Sequence, residues 1–440
     1  MAERARTLVW ATNRFYENIY SIGVSDEIVT YRTLSLVSRV VREEVRATNA
    51  TLRLRLDECP PPDFMAKRPA WKLVLYDLSG VPGTWHPNLV ELEFGDDFNQ
   101  PISDVMWPKT LTRLNLGWAF NQPLLSVEWP GSLESLVLGG DFNQPLQRVR
   151  WPASLLRLEL GGFDHPLTLV EFPEGLRSLS LGVFNQLLCD VSWPAGLRDL
   201  DLGDCYNQPI SDVTWPPELE HLYLGFSFNQ SVSEAKWPTT LKELHLEGYF
   251  DQPVVELPPS IEVLTLGGHA FNRPVVDVKW PQGLKTLRLG AAFNQPLAGV
   301  VLPPGIKSLV LGSGFNRPIT GLVLPPGLKS LVFGSEFNQP LAGIVFPPGL
   351  ETLEFGWKFN QPVHSIEWPP ALRKLVFGDN FDQDVHSIVW PNTLEMMEFG
   401  DAFNHPVHSI ARLTNLKALV VGDGFDQELS HDLARFVVAP

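Results

Sequence analysis

A four-residue phrase, first met as Phe98-Asn99-Gln100-Pro101, recurs down most of this chain at an almost fixed interval. Its aromatic head stands at Phe98, Phe120, Phe142, Phe163, Phe184, Tyr206, Phe228, Phe250, Phe271, Phe293, Phe315, Phe337, Phe359, Phe381, Phe403 and Phe425. These are sixteen copies spaced by 22 residues, with three steps of 21. A chain keeps such a period when each unit buries its apolar side against the units before and after it. The period therefore predicts a solenoid, and it replaces the two or three separate domains that 440 residues would otherwise suggest.

Each place in the unit has a physical task. Leu114-Asn115-Leu116 alternates apolar, polar, apolar, which predicts a short strand with its leucines turned inward. Gly117 follows where the chain must leave the strand through a crowded or left-handed turn. Phe120 fills the corner of the coil, and its equivalents are expected to stack as an internal spine. The next position is Asn twelve times and Asp four times (Asp164, Asp251, Asp382, Asp426). An ionised Asp only accepts hydrogen bonds, so the bond common to all coils must run from a backbone N–H to the side-chain oxygen. Val127-Glu128-Trp129 alternates again and predicts a second extended segment on the outer wall, closed by Pro130.

The Phe-Asn-Gln-Pro phrase and the Leu-x-x-Leu-x-Leu-Gly strand resemble the FNIP-repeat branch of the leucine-rich-repeat superfamily, over residues 85 to about 428. The resemblance implies a repeat solenoid that is mainly β, with a parallel inner sheet, extended outer segments and a role as an interaction scaffold. Glu247 departs from the pattern, standing before Gly248 where other coils place Gly directly. Tyr206 replaces Phe, and its hydroxyl must find a partner or face water.

The ends differ in kind. Residues 49–84 carry the strand pattern in Leu52-Arg53-Leu54 and Leu73-Val74-Leu75 and are expected to form irregular capping coils. Residues 1–48 lack proline and space Ile28, Leu34, Val37, Val41 and Val45 as a helix does, predicting a short α-helical N-terminal cap. The stretch from Tyr31 to Val45 also resembles the second half of an F-box, although the opening Leu-Pro of that family is missing. By that resemblance Leu34, Leu36, Val37 and Arg39 would dock on the adaptor of a cullin-type ubiquitin ligase, and the array would select the target. The alternatives are a free-standing recognition scaffold and a solenoid carbohydrate-active enzyme. Residues 429–440 are read as a tail or cap.

If the leucines face inward, the residue between them faces outward, as does the residue two before it. These two rows make a continuous surface on the inner wall. At its centre lie Asp199, Asp201, His221, Tyr223, Glu243 and His245, with Arg288 further along. Acid, imidazole and phenol together predict a protein or peptide partner held there, with Tyr223 and His245 as anchors. His364, His386 and His408 recur at 22-residue steps, but a straight ladder of imidazoles does not converge on one ion as a metal requires. No metal or other cofactor is expected.

Charge narrows the partner. Asp and Glu total 50 against 34 Lys and Arg, a formal net charge of −16. That balance disfavours a nucleic-acid backbone or an anionic membrane as principal partner. No apolar run approaches the length of a membrane span, which is about 18 residues or more. Cys59, Cys189 and Cys205 lack metal-ligand spacing and read as free thiols, so a cytoplasmic or nuclear location is expected. Gly-x-Ser-x-Gly and phosphate-loop motifs are absent, and no enzymatic activity is expected.

Overall fold

The computed structural model describes residues 29–30, 51–55, 72–78, 81, 85 and 89–438. Within the predicted helical cap of residues 1–48 only Val29–Thr30 is described, and it is a strand rather than a helix, while Leu34, Leu36, Val37 and Arg39 lie outside the described residues, as does Cys59. Two compact units divide the chain. The first runs to Phe184 and takes in Val191–Leu197; the second comprises Asn185–Asp190 and everything from Arg198 onward.

In the first unit eight strands follow chain order: β1 (Val29–Thr30), β2 (Thr51–Arg55), β3 (Lys72–Leu78), β4 (Leu89–Phe94), β5 (Arg113–Asn115), β6 (Ser135–Leu138), β7 (Arg157–Leu160) and β8 (Ser178–Ser180). Each pairs in parallel with the next, and from β4 onward the Leu-x-Leu positions fall opposite one another, Leu92 with Leu114, then Leu136 and Leu158.

The second unit repeats the arrangement. Its first six strands are β9 (Asp199–Asp201), β10 (His221–Tyr223), β11 (Glu243–Leu246), β12 (Val263–Leu266), β13 (Thr286–Leu289) and β14 (Ser308–Val310). They continue as β15 (Ser330–Val332), β16 (Thr352–Glu354), β17 (Lys374–Val376), β18 (Met396–Glu398), β19 (Ala418–Val420) and β20 (Val437–Val438). All are parallel and paired in chain order. At the far end Leu433, on the short helix α1 (His431–Ala434), is buried, and β20 pairs with β19.

Two ladders hold coil to coil. Inside, the corner aromatics are buried and stack face to face: Phe98 on Phe120 at 6.0 Å in the first unit, and Phe293 on Phe315 at 6.0 Å in the second. Tyr206 takes the same place, wholly buried, so its hydroxyl is not turned to water and burial pushes its pKa up. At the surface, the next side chain accepts the backbone N–H of its equivalent one coil on, as from Asn121 to Asn99 Oδ1 at 3.0 Å. Asp251 does the same for Asn272 at 3.0 Å, and Asp382 for Asn404 at 3.2 Å. The acceptor oxygen is what the fold needs, and Asp supplies it as Asn does. After two of the acidic acceptors the following coil brings a cation-forming side chain in place of Gln, although Asp164 is followed by Gln186. Arg273 lies 2.9 Å from Asp251 and His405 lies 3.2 Å from Asp382. Arg317 follows Asn294, so the match is not obligatory.

The outer segments alternate as expected, with Val127 buried and Glu128 exposed. They do not form a second ladder among the described residues; one bridge, Glu256 with Lys279, stands outside the named strands. Proline at the end of every segment but the last, which runs Ile410-Ala411-Arg412-Leu413, removes a donor that a ladder would need.

Candidate partner-binding face

Strand alternation builds the site. Leu200, Leu222 and Leu244 point into the core and are at most 2% exposed. Their neighbours therefore face outward, half-buried, and parallel register sets them side by side. Asp199 is opposite His221, which is opposite Glu243; Asp201 is opposite Tyr223, which is opposite His245.

The side chains then join across coils. His221 Nδ1 lies 2.5 Å from Asp199 Oδ1, and because a carboxylate only accepts, the imidazole is the donor. On its other side His221 Nε2 is 3.9 Å from Glu243 Oε1. Glu243 Oε2 lies 3.8 Å from His245 Nε2, and His245 Nδ1 lies 3.4 Å from Glu247 and 3.2 Å from Thr265 Oγ1. The result is one run of alternating acid and imidazole, Asp199–His221–Glu243–His245–Glu247. Tyr223 leans beside it, its hydroxyl 3.5 Å from Asp204 Oδ1. Partial burial, and then the negative field of Asp204, Glu247 and Asp201, pushes the Tyr223 pKa up to about 12. It therefore stays a neutral phenol that can donate or accept.

Not every expected residue belongs to this run. Asp201 turns back to accept the Gly203 N–H at 2.8 Å. Arg288 stands apart, two strands beyond Tyr223's neighbour His245 in β11, with Thr265 between them. Conversely, the inner rows alone missed Glu247 and Asp204, both of which touch the site. Glu247 was signalled by its irregular place before Gly248. Asp204 stands in the acidic turn after β9, off the two rows. The ladder His364–His386–His408 is not joined ring to ring at His386, whose Nδ1 is held 2.5 Å from Asp384 Oδ2.

The arrangement offers hydrogen-bond donors and acceptors on an open surface. The run lies on an open sheet face, where acid and imidazole side chains are 29–49% exposed, so water reaches every member. General acid–base catalysis draws its strength from positioned groups whose pKa values are tuned by burial. A cleft of about 780 Å³ opens elsewhere, in the first unit between the outer segments that carry Arg148, Trp151, Leu169, Phe172 and Glu174. Among the described residues no helix is long and apolar enough to cross a membrane.

Comparison with known proteins places this geometry. The FNIP Repeat family matches residues 81–118, 120–162, 206–249, 271–314, 293–325, 315–358 and 359–409. The chain belongs to the FNIP-repeat family. Its array is similar to the crystal structure of CroV588, a circular leucine-rich-repeat protein, at 30% identity and a TM-score of 0.67, covering 88% of this chain and 59% of that one. The chain thus spans somewhat more than half the length of that relative. TLR13, solved in complex with ssRNA13, shares the fold at 16% identity and a TM-score of 0.60, covering 89% of this chain and 67% of the other. Toll, from the Toll–Spatzle complex of Drosophila, shares it at 14% identity and a TM-score of 0.51, covering 89% and 65%. Comparison with curated proteins finds no match. The FNIP array is a leucine-rich-repeat-like scaffold, a form consistent with protein–protein interaction.

Proposed function

We propose that this FNIP array holds a protein or peptide partner on its inner face across β9–β11, with Tyr223 and His245 as anchors. The observation that carries the reading is the joined acid–imidazole run from Asp199 to Glu247 with a neutral phenol beside it. Half-buried side chains set side by side on a hydrogen-bonded sheet have less freedom to lose when a guest arrives, which favours their use as anchors. The face offers acceptors, donors and an aromatic ring within three adjacent coils. Replacing Tyr223 and His245 together by Ala is expected to weaken partner capture from cell extract by roughly tenfold or more, with unchanged thermal melting. Undiminished capture by the double variant would remove the site.

A finer reading is favoured by the F-box-like stretch from Tyr31 to Val45. In it, Leu34, Leu36, Val37 and Arg39 dock on a cullin-ligase adaptor, and the array presents the bound target for ubiquitin transfer. Mixing purified protein with the adaptor tests it, because the complex must form and must vanish when residues 1–48 are deleted. Without that complex the array is a free-standing scaffold.

A further inference from the structure

A row of charges runs beside the inner face of the second unit, one residue before each strand. The backbone ladder fixes its order: each N–H donates to the carbonyl of its equivalent one coil earlier, from Glu220 to Arg198 at 2.9 Å through to Lys417 to Glu395 at 2.8 Å. The row alternates in sign from Arg198 through Glu220, Lys242 and Glu262 to Lys285. From Lys329 it alternates again, through Glu351, Arg373 and Glu395 to Lys417. Ion pairs follow the alternation, Lys242–Glu220 at 2.7 Å, Lys285–Glu262 at 2.6 Å, Lys329–Glu351 at 2.8 Å and Lys417–Glu395 at 2.6 Å. One step breaks it. Position 307 calls for an acid and holds Lys307, so Lys285, Lys307 and Lys329 stand on three adjacent coils. Lys285 and Lys329 turn outward to Glu262 and Glu351, and Lys307 between them has no carboxylate partner among the described residues.

The sheet face at this point matches the break. Thr286, Ser308 and Ser330 lie opposite one another as a strip of small hydroxyls, and beyond them run Arg288, Val310 and Val332. The neighbourhood is cationic in an acidic chain. Residues 263–335 hold seven Lys or Arg against the single acid Asp277; Arg273, Lys279, Lys285 and Lys329 pair with acids outside that span, and Arg288, Lys307 and Arg317 have no carboxylate partner among the described residues. Like charges on neighbouring strands repel, so an unopposed third lysine costs stability unless something supplies the missing carboxylate.

We propose that β13–β15 form a docking strip for an extended acidic segment of another protein, in which acids alternate with aliphatic residues. Such a segment runs along the stack over the hydroxyl strip. Its side chains point alternately to either side, carboxylates toward the lysine row and aliphatic groups toward Val310 and Val332. Residues of one side recur about every 7 Å along a strand, and three coils at about 4.8 Å spacing leave room for two of them. The strip stands independently of the Tyr223 anchor, because it is read directly with a synthetic peptide.

The test is fluorescence anisotropy with a labelled peptide of alternating Glu and Val, beside a peptide with Lys in place of Glu and a single-stranded oligonucleotide of equal charge. The Glu peptide is expected to bind, with affinity falling as ionic strength rises, and the Lys peptide is not. Lys307→Glu restores the alternation. It is expected to weaken peptide binding at least tenfold while holding or raising the melting temperature, which separates lost binding from lost folding. Lys279→Glu makes the same charge change on the outer wall and should leave binding within twofold. Equal binding of both peptides, unchanged binding by Lys307→Glu, or an oligonucleotide bound as tightly as the peptide would each overturn the proposal.

Discussion

Gly312, in the turn that leaves the sheet, and Gly343, in the turn at the outer wall, are glycine for different reasons. At Gly312, in the first turn, an added Cβ would overlap the carbonyl oxygen of Gly290 in the preceding coil. At Gly343, in the second, nothing lies within 4 Å of such a Cβ, but φ is +80°. Gly312 is glycine because a neighbour is too close and Gly343 because of the torsion alone, whereas Gly225, with φ +94° and the Gly203 carbonyl in the way, is held to glycine by both. Arg148 and Leu169 at φ +68° in the first unit, and Asp190 at φ +61° in the second, bear the distinction out, since they hold the outer turn without glycine. Packing in the coil overrides a local preference there, and it has no means of overriding a collision with backbone.

Four substitutions and a titration can break or sharpen that contrast. Phe315→Ala, which empties the corner that the first turn delivers, should cost about 3–5 kcal/mol in denaturant unfolding. Gly312→Ala should cost on the order of 3 kcal/mol, because two coils must part to admit one methyl group. Gly343→Ala should cost only about 1 kcal/mol, its torsional strain alone; a loss equal to that of Gly312→Ala would erase the distinction. Leu169→Gly should run the other way and stabilise by about 0.5 kcal/mol. Relief of the left-handed strain exceeds the added chain entropy, and the melting temperature should rise slightly.

The smallest effect belongs to the charged row. Hydrogen bonds from Lys329 and Lys417 hold the carboxyls of Glu351 and Glu395 below the usual range. A folded pKa below the unfolded one gives stability that is present above the unfolded value and lost as pH falls through the folded value. These pairs are exposed, so the loss should be slight. Melting temperatures of Glu351→Gln and the parent, compared at neutral and acid pH, should converge in acid.

Much of the interior was legible in the linear chain. Leucine spacing placed the strands, and the exchange of Asn for Asp at one position identified which atom of the side chain the ladder uses. Outward rows were legible too, yet their joining was not. Whether His221 meets Asp199, or Glu247 reaches His245, depends on side-chain length and direction between coils, which no spacing encodes. Arg288 shares the outward row with Tyr223 and His245 but lies two strands beyond His245, a distance along the stack that side-chain type does not reveal. The charged row at Lys307 lies one residue outside the strand, where the apolar–polar alternation no longer marks which way a side chain faces.

By itself, then, the sequence determined that equivalent positions of successive coils must stack, because a period kept over sixteen units leaves no other way to bury its leucines and phenylalanines. Tertiary structure alone decided which surface side chains touch, and where an alternating row of charge is left one carboxylate short. Burial acts on every copy of the repeat alike, whereas surface contacts are set by the few angstroms between one coil and the next.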